Sequence, residues 1–259
     1  MASPPISAVI IAANAGSVIA PCLESLAFLP DVVVYLNNST DDTRSICAGF
    51  PNVRVIDGEF SGFGPTKNNA AACAHHDWVF SIDTDESIDP TLANSLRSID
   101  LRDPNVAYEL IRCNRFHGRH VAVGGWGNDR LVRLYNRTTA RFNAKAVHEK
   151  IVLDNGVSRQ SLSGRLWHEA VLEIDQFLVK ISRYSTLAAE SKPGGPLCHP
   201  AFALLRAQFA FFKSYILQRG CIAGYRGLVI AYASAVGTFF RYTKRYERYR
   251  RQRDSARPS

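Results

Sequence analysis

Three carboxylates, Asp83, Asp85 and Glu86, fall within four positions directly after the apolar run Trp78-Val79-Phe80-Ser81-Ile82. Like charges this close repel unless water solvates them or a cation lies between them. Two readings are open. One is an exposed turn. The other is a site for a hard divalent cation such as Mg²⁺ or Mn²⁺, which takes oxygen ligands and often one or two protein carboxylates, with phosphate oxygens completing its shell. Just upstream, Gly62-Phe63-Gly64-Pro65-Thr66-Lys67-Asn68-Asn69 is a glycine-rich loop opening a helix. Free backbone N–H groups at a helix start favour anions, and Lys67 is a partner for a phosphate; the plain alternative is a loop with a surface lysine. The stretch is neither a P-loop nor a dinucleotide-binding fingerprint.

These residues need a frame that aims them at one place. The first half of the chain alternates strand and helix signals: β-branched runs at 6–11, 31–36, 53–56 and 78–82, with helical patterns through Cys22, Leu23, Leu26 and Ala27 and over 40–50 and 66–75. Such alternation predicts βαβ units and a parallel sheet covered on both faces. Ligands of an open parallel sheet sit beyond the carboxyl ends of its strands, where strand order reverses. The three carboxylates lie at such an end. After about Ala107 the pattern changes to strands without intervening helices, at 107–112, 130–135 and 149–153, and Asp154-Asn155-Gly156 predicts a hairpin into 157–162. From Ile174 the pattern is helical, broken at Lys192-Pro193-Gly194-Gly195-Pro196, with helices over 200–218 and 224–250. The expected division is 1–172 for an α/β domain and 173–259 for a helical extension.

With 259 residues, 46% apolar and 21% charged, the chain has material for a substantial core. Six scattered cysteines form no C-x-x-C pair, which argues against a zinc knuckle or a disulfide framework and fits a reducing cytosol. The start, MASPPISAVIIAANAG, lacks the basic region of a signal peptide. The apolar stretch 221–240 contains Arg226, three glycines and two tyrosines, and reads as a buried or interfacial helix rather than a membrane span. Residues 241–259 hold eight Lys or Arg against two acids, so +6 of the formal +8 resides in this tail.

Taken in order, several stations resemble family 2 glycosyltransferases of the GT-A fold: the apolar first strand, Asn38-Ser39-Thr40-Asp41-Asp42-Thr43 after the second, Gly62-Phe63-Gly64 with Lys67-Asn68, and the strand ending in Asp83-Thr84-Asp85-Glu86. Gly125-Trp126-Gly127-Asn128-Asp129-Arg130-Leu131-Val132-Arg133-Leu134-Tyr135, Val147-His148-Glu149 and Gly164-Arg165-Leu166-Trp167-His168 are similar to the lipopolysaccharide inner-core β-1,4-glucosyltransferase-like subgroup. The resemblance runs from Ile6 to about Arg250. It implies a nucleotide-diphospho-sugar transferase fold, α/β with a mostly parallel central sheet flanked by helices and a C-terminal helical extension.

The resemblance also implies roles. Asp85 is the better ligand for a divalent cation on the donor diphosphate, Asp83 faces the ribose, and His168 is a further metal or diphosphate contact. Asn14, Asn37, Asn38 and Lys67 join them in binding a UDP-hexose donor. An inverting transfer needs a base for the acceptor hydroxyl, with Glu149 the first choice and Asp129 the second. His148 touches the acceptor or orients Glu149, or is a satisfied side chain at a strand end. Trp126 stacks on a sugar or fills the core. Arg130 and Arg133 serve an anionic ligand or are simply solvated or paired. Two departures from the family pattern remove polar handles for the nucleoside: Leu36 stands where an Asp is usual, and Ala15 follows Asn14 where a Glu is usual.

The expected partners are a UDP-hexose, a lipid-linked saccharide and an anionic membrane surface, with no nucleic acid. The expected location is cytoplasmic, peripheral on the inner face of the cell membrane. Residues Phe202, Leu205, Phe209, Phe212, Ile216 and Leu217 recur at helical spacing and face the catalytic domain, another subunit or a bilayer. Tyr242, Tyr246 and Tyr249, interleaved with basic residues, suit a headgroup region. A scaffold that has lost donor binding and a metal-dependent nucleotidyltransferase are the competing functions.

Overall fold

The computed structural model describes residues 4–127, 129–144 and 149–255. In chain order its first half comprises β1 (Ile6–Ala12), α1 (Ile19–Ser25), β2 (Asp31–Leu36), α2 (Thr43–Ala48), β3 (Val53–Asp57), α3 (Phe63–Ala72), β4 (Trp78–Ser81), β5 (Glu86–Ile88) and α4 (Pro90–Ser98). There follow β6 (Val106–Phe116), β7 (Arg119–His120), β8 (Asp129–Asn136), β9 (Ala140–Phe142), β10 (Ile151–Leu153) and β11 (Ser158–Val171), then α5 (Ile174–Glu190), α6 (Pro200–Phe212) and α7 (Gly224–Ser255). Two compact units emerge, one of Met1–Cys113 with Asn128–His168, the other of Asn114–Gly127 with Glu169–Ser259.

In the first unit β1 and β2 are buried almost throughout, as expected of strands covered on both faces. β1 pairs in parallel with β2 on one side and β4 on the other, and β2 carries β3. The order β3-β2-β1-β4 reverses between β1 and β4, so the carboxyl end of β4 is a switch point. Beyond β4 the sheet continues with β8, β6, β11 and β5, and β4–β8, β8–β6 and β11–β5 are antiparallel. The helices seal the β-branched strands into a core that includes Ile6, Ile10, Leu23, Val34, Phe80, Leu92 and Leu134.

Local chemistry sets the helix ends. Gly62, at φ +104°, lets the chain enter α3 from a conformation that favours glycine. Pro65 then sits in the first turn, where its missing N–H costs nothing. This starts α3 three residues before the stretch 66–75 that periodicity alone marks. At its other end Arg137 donates to the carbonyls of Ala71 (2.9 Å) and Ala74 (3.0 Å) and pairs with Asp77, capping the helix with a cation. Asp89 caps α4 through Leu92 N (2.7 Å).

The hairpin expected at Asp154-Asn155-Gly156 does not form between its flanking strands. The turn is present, with Gly156 at φ +89°, but β10 pairs with β9 in a separate two-stranded ribbon, whereas β11 joins the main sheet beside β5. Asp154 N donates to Thr139 O and Ser158 N to Asn105 O, so the backbone groups beside the turn bind elsewhere.

In the second unit α7 lies against both α5 and α6. Its basic residues are not all turned to solvent. Lys244 Nζ donates to Ser182 O (3.1 Å), Ser185 Oγ and Thr186 Oγ1 (both 2.8 Å). Arg245, which is buried, donates to Ala188 O (2.5 Å), and Arg248 to Ala189 O (3.1 Å). Three of the eight tail cations are therefore bound to α5, and two of them, Arg245 and Arg248, reach carbonyls of its last turn, where the helix dipole favours positive charge. Among the described residues no helix is long and apolar enough to cross a membrane.

Candidate functional site

After β4, Ile82 N still donates to Val9 O (3.2 Å), so the chain stays in line with the sheet until Asp83. There it turns: Glu86 N donates to Asp83 O (3.0 Å), and the Glu86 carboxylate accepts from Asp83 N (3.0 Å). The closed turn presents three acidic side chains at the switch point. β11 lies antiparallel to β5 with His168 opposite Glu86, and this register brings His168 Nε2 to 3.5 Å from Asp85 Oδ2.

The cations that the carboxylates demand come from the protein itself. Lys67 of α3 reaches Asp83 Oδ1 at 2.8 Å and Glu149 Oε1 at 3.0 Å. Arg133 of β8 reaches Asp83 Oδ2 at 3.0 Å and Glu86 Oε1 at 2.7 Å. Arg112 of β6 lies 3.7 Å from Glu86 and 2.8 Å from Asp129, its cross-strand partner. The groups alternate in sign along one path: Glu149, Lys67, Asp83, Arg133, Glu86, Arg112, Asp129. Lys67, Arg133 and Glu86 are 5%, 5% and 1% exposed, and burial of such ions is tolerable only because each has a partner.

The electrostatics follow from this order. Burial pushes the Asp83 carboxyl up, but Lys67 and Arg133 outweigh it and hold it well below the usual carboxylate range. Glu86 is raised, by burial and then by the charge of Asp83, with Arg133 opposing. Burial disfavours the Lys67 ammonium, yet Asp83 and Glu149 raise its pKa above the ordinary lysine value, so it stays charged.

The structure thus gathers Lys67, Asp83, Asp85, Asp129, Glu149 and His168 in the first unit. Arg133, left open by the sequence between an anionic ligand, solvation and pairing, is the buried centre of the network, and Arg112 and Glu86 join it. The signal for Arg133 was an arginine in the otherwise apolar run Leu131-Val132-Arg133-Leu134-Tyr135. Arg130, three strand positions before it on the exposed side, pairs with Glu109 (3.2 Å).

Asn14 and Asn37 have partners within the protein. Asn14, at φ +49°, accepts from Thr40 N (2.9 Å), and Asn37 is buried with Nδ2 donating to Gly58 O (3.0 Å). Asn38 is exposed, at φ +42°. Leu36 and Ala15 are both buried in the core, at 3% and 4% exposure, so neither position offers a polar group to a ligand. In the second unit Trp126 packs among Phe116 (6.1 Å between ring centres) and Phe177 (6.0 Å). His148 lies outside the described residues.

Among the described residues no three His, Cys, Asp or Glu side chains gather as a metal cage. Both oxygens of Asp83 are engaged by cationic side chains. Asp85 and His168 present a carboxylate oxygen and an imidazole nitrogen to one another, a donor pair that fits Mn²⁺ when phosphate oxygens supply the remaining ligands.

Residues 7–119 match the model of the family described as Glycosyl transferase family 2. Over these residues the chain is similar to family 2 glycosyltransferases. Among curated relatives, the lipopolysaccharide core biosynthesis glycosyltransferase LpsC of Rhizobium meliloti (strain 1021) is 27% identical over 253 residues, covering 95% of this chain and 93% of the relative. An uncharacterized glycosyltransferase of Rickettsia prowazekii (strain Madrid E) is 27% identical over 252 residues, covering 92% and 86%. Among solved structures, S. aureus TarS 1-349 in complex with UDP is 16% identical, covers 95% of this chain and 91% of that chain, and has a TM-score of 0.44. Glucosyl-3-phosphoglycerate synthase from Mycobacterium tuberculosis, crystallised with Mn²⁺, UDP and glucosyl-3-phosphoglycerate, is 20% identical, covers 43% and 44%, and has a TM-score of 0.34.

Proposed function

We propose that the chain transfers a hexose, glucose from UDP-glucose, to a lipid-linked saccharide such as lipopolysaccharide core, with inversion at the anomeric carbon, on the cytoplasmic face of the membrane. The observation that supports the reading is the alternating charge path at the carboxyl end of β4, which runs from Glu149 to Asp129, with Asp85 and His168 3.5 Å apart on the turn and strand beside it. The relative named for lipopolysaccharide core biosynthesis supports the acceptor class.

In this reading Asp85 and His168 hold a divalent cation, Mn²⁺ or Mg²⁺, against the donor diphosphate. When bound, the cation offsets the negative charge of the departing nucleoside diphosphate. Asp83 is kept ionised by Lys67 and Arg133 and accepts from the ribose hydroxyls. Glu149 takes the proton of the acceptor hydroxyl, and Lys67 Nζ fixes its position from 3.0 Å. Asp129, half exposed and paired with Arg112, is the second choice for the base. Asn14, Asn37 and Asn38 border the donor side, Asn37 and Asn38 directly after β2, and His148 serves the acceptor.

A screen of nucleotide-sugars for hydrolysis or transfer, with Mn²⁺ and extracted membrane lipids, tests the assignment. UDP-glucose is expected to turn over and to release UDP. Release of pyrophosphate would assign a nucleotidyltransferase instead, and no turnover of any donor would leave a scaffold.

A further inference from the structure

Residues 191–246 contain eight lysines and arginines and no aspartate or glutamate. Within this segment α6 is built inside out for a helix of a water-facing domain. Its small residues Ala203 and Ala207 are buried, at 0% and 6% exposure, and α6 lies against α7. Its large residues point away: Phe202, Leu205, Phe209 and Phe212 are 46%, 61%, 61% and 48% exposed, and Ile216, on the π-helical turn that continues the helix, is 48% exposed. Their spacing of three and four residues places them on one stripe. A contiguous apolar face of this kind marks a docking surface. Lys213 and Arg219 are exposed at its carboxyl end.

We propose that the outward stripe of α6 seats the protein on an anionic lipid bilayer, its apolar side chains entering the headgroup boundary and the acid-free basic surroundings meeting the lipid charge. The chemistry is that of an interfacial amphipathic helix, in which apolar area and cations act together. The C-terminal basic segment is a weaker candidate for the same task, because Lys244, Arg245 and Arg248 are already bound to α5. For the same reason, deletion of residues 241–259 would remove a packed half of α7 and cannot isolate a docking contribution. The inference deepens the membrane-surface reading above, and its test reads binding alone. Hydrolysis of UDP-glucose in solution needs no lipid, so a failure of docking and a failure of the transferase reading are separable.

The test is co-sedimentation of the full chain with phosphatidylglycerol-containing vesicles and with pure phosphatidylcholine vesicles. The wild type is expected in the pellet with the anionic vesicles. The double variant L205E/F209E, changed only at exposed positions, is expected to lose roughly tenfold or more in partitioning with its melting temperature unchanged, whereas R250Q/R251Q/R253Q loses less than about threefold. A separate variant, F209W, is expected to shift its emission to the blue on vesicle addition and to be quenched by brominated acyl chains. Wild-type protein that stays in the supernatant, an L205E/F209E variant that pellets like the wild type, or loss of binding in the triple glutamine variant alone would overturn the proposal. So would a lipid-free dimer in sedimentation velocity that L205E/F209E abolishes, which would assign the stripe to a second copy of the chain.

Discussion

Lys67 is the residue on which the site turns, because one ammonium serves two carboxylates on different elements. Removing it leaves Asp83 and Glu149 facing each other across a mostly buried space. Lys67→Met is expected to cost about 3 kcal/mol of stability, the penalty typical of breaking a buried pair on one side, and Lys67→Arg less; urea denaturation measures both. Asp83 adds a pH signature. Its folded-state pKa lies below the unfolded value, so its contribution is present above about pH 4 and is lost as pH falls toward the folded value. Glu86, raised in the folded state, runs the other way: its contribution is present below the unfolded value and lost as pH rises through the folded one. Thermal melts between about pH 7 and about pH 3 are expected to show a falling acid limb that is flatter in Asp83→Asn. Asp85, beside His168, is assigned to the cation, and Asp85→Ala is expected to abolish Mn²⁺-dependent donor turnover in a purified assay while leaving the melting temperature within a few degrees of the wild type. Turnover that persists would remove Asp85 from the metal.

At the scale of elements, the strands that are readable in the sequence are those whose burial is written into composition: Val9-Ile10-Ile11 and Val32-Val33-Val34 admit no other place than a covered sheet. The carboxylates at the end of β4 were legible for the same reason, since a switch point follows from strand order. The partners of those carboxylates were not. Whether Arg133 meets Asp83 or water depends on how β8 registers on β4 across a separation of 50 residues, and a shift of one residue would turn it to the opposite face. The ribbon of β9 and β10 escaped notice likewise, because a good turn at Asp154-Asn155-Gly156 says nothing about which strand lies closest. One glycine carries a testable close approach. A side chain at Gly164 of β11, at φ +101°, would place Cβ 2.2 Å from Leu92 N and 2.6 Å from Leu92 Cα, at the start of α4. Gly164→Ala is expected to destabilise the protein by roughly 2 kcal/mol in denaturant unfolding, and an unchanged midpoint would show that α4 can yield.

At the scale of the whole molecule, the first unit supplies the switch point, and the second unit supplies a face rich in cations and exposed apolar side chains. Composition showed that the basic excess lies near the carboxyl end. It did not show that Arg245 and Arg248 cap α5, because a helix-capping arginine and a solvated one look alike in sequence. The central claim, that the acids past β4 serve a nucleoside diphosphate through a divalent cation, is tested most directly by calorimetric titration of UDP into the full chain with and without Mn²⁺, repeated on Asp85→Ala. UDP is expected to bind with measurable heat when Mn²⁺ is present, and to lose at least about tenfold in affinity when Mn²⁺ is withheld or Asp85 is replaced. Equal heats with and without Mn²⁺, or wild-type binding by Asp85→Ala, would contradict it.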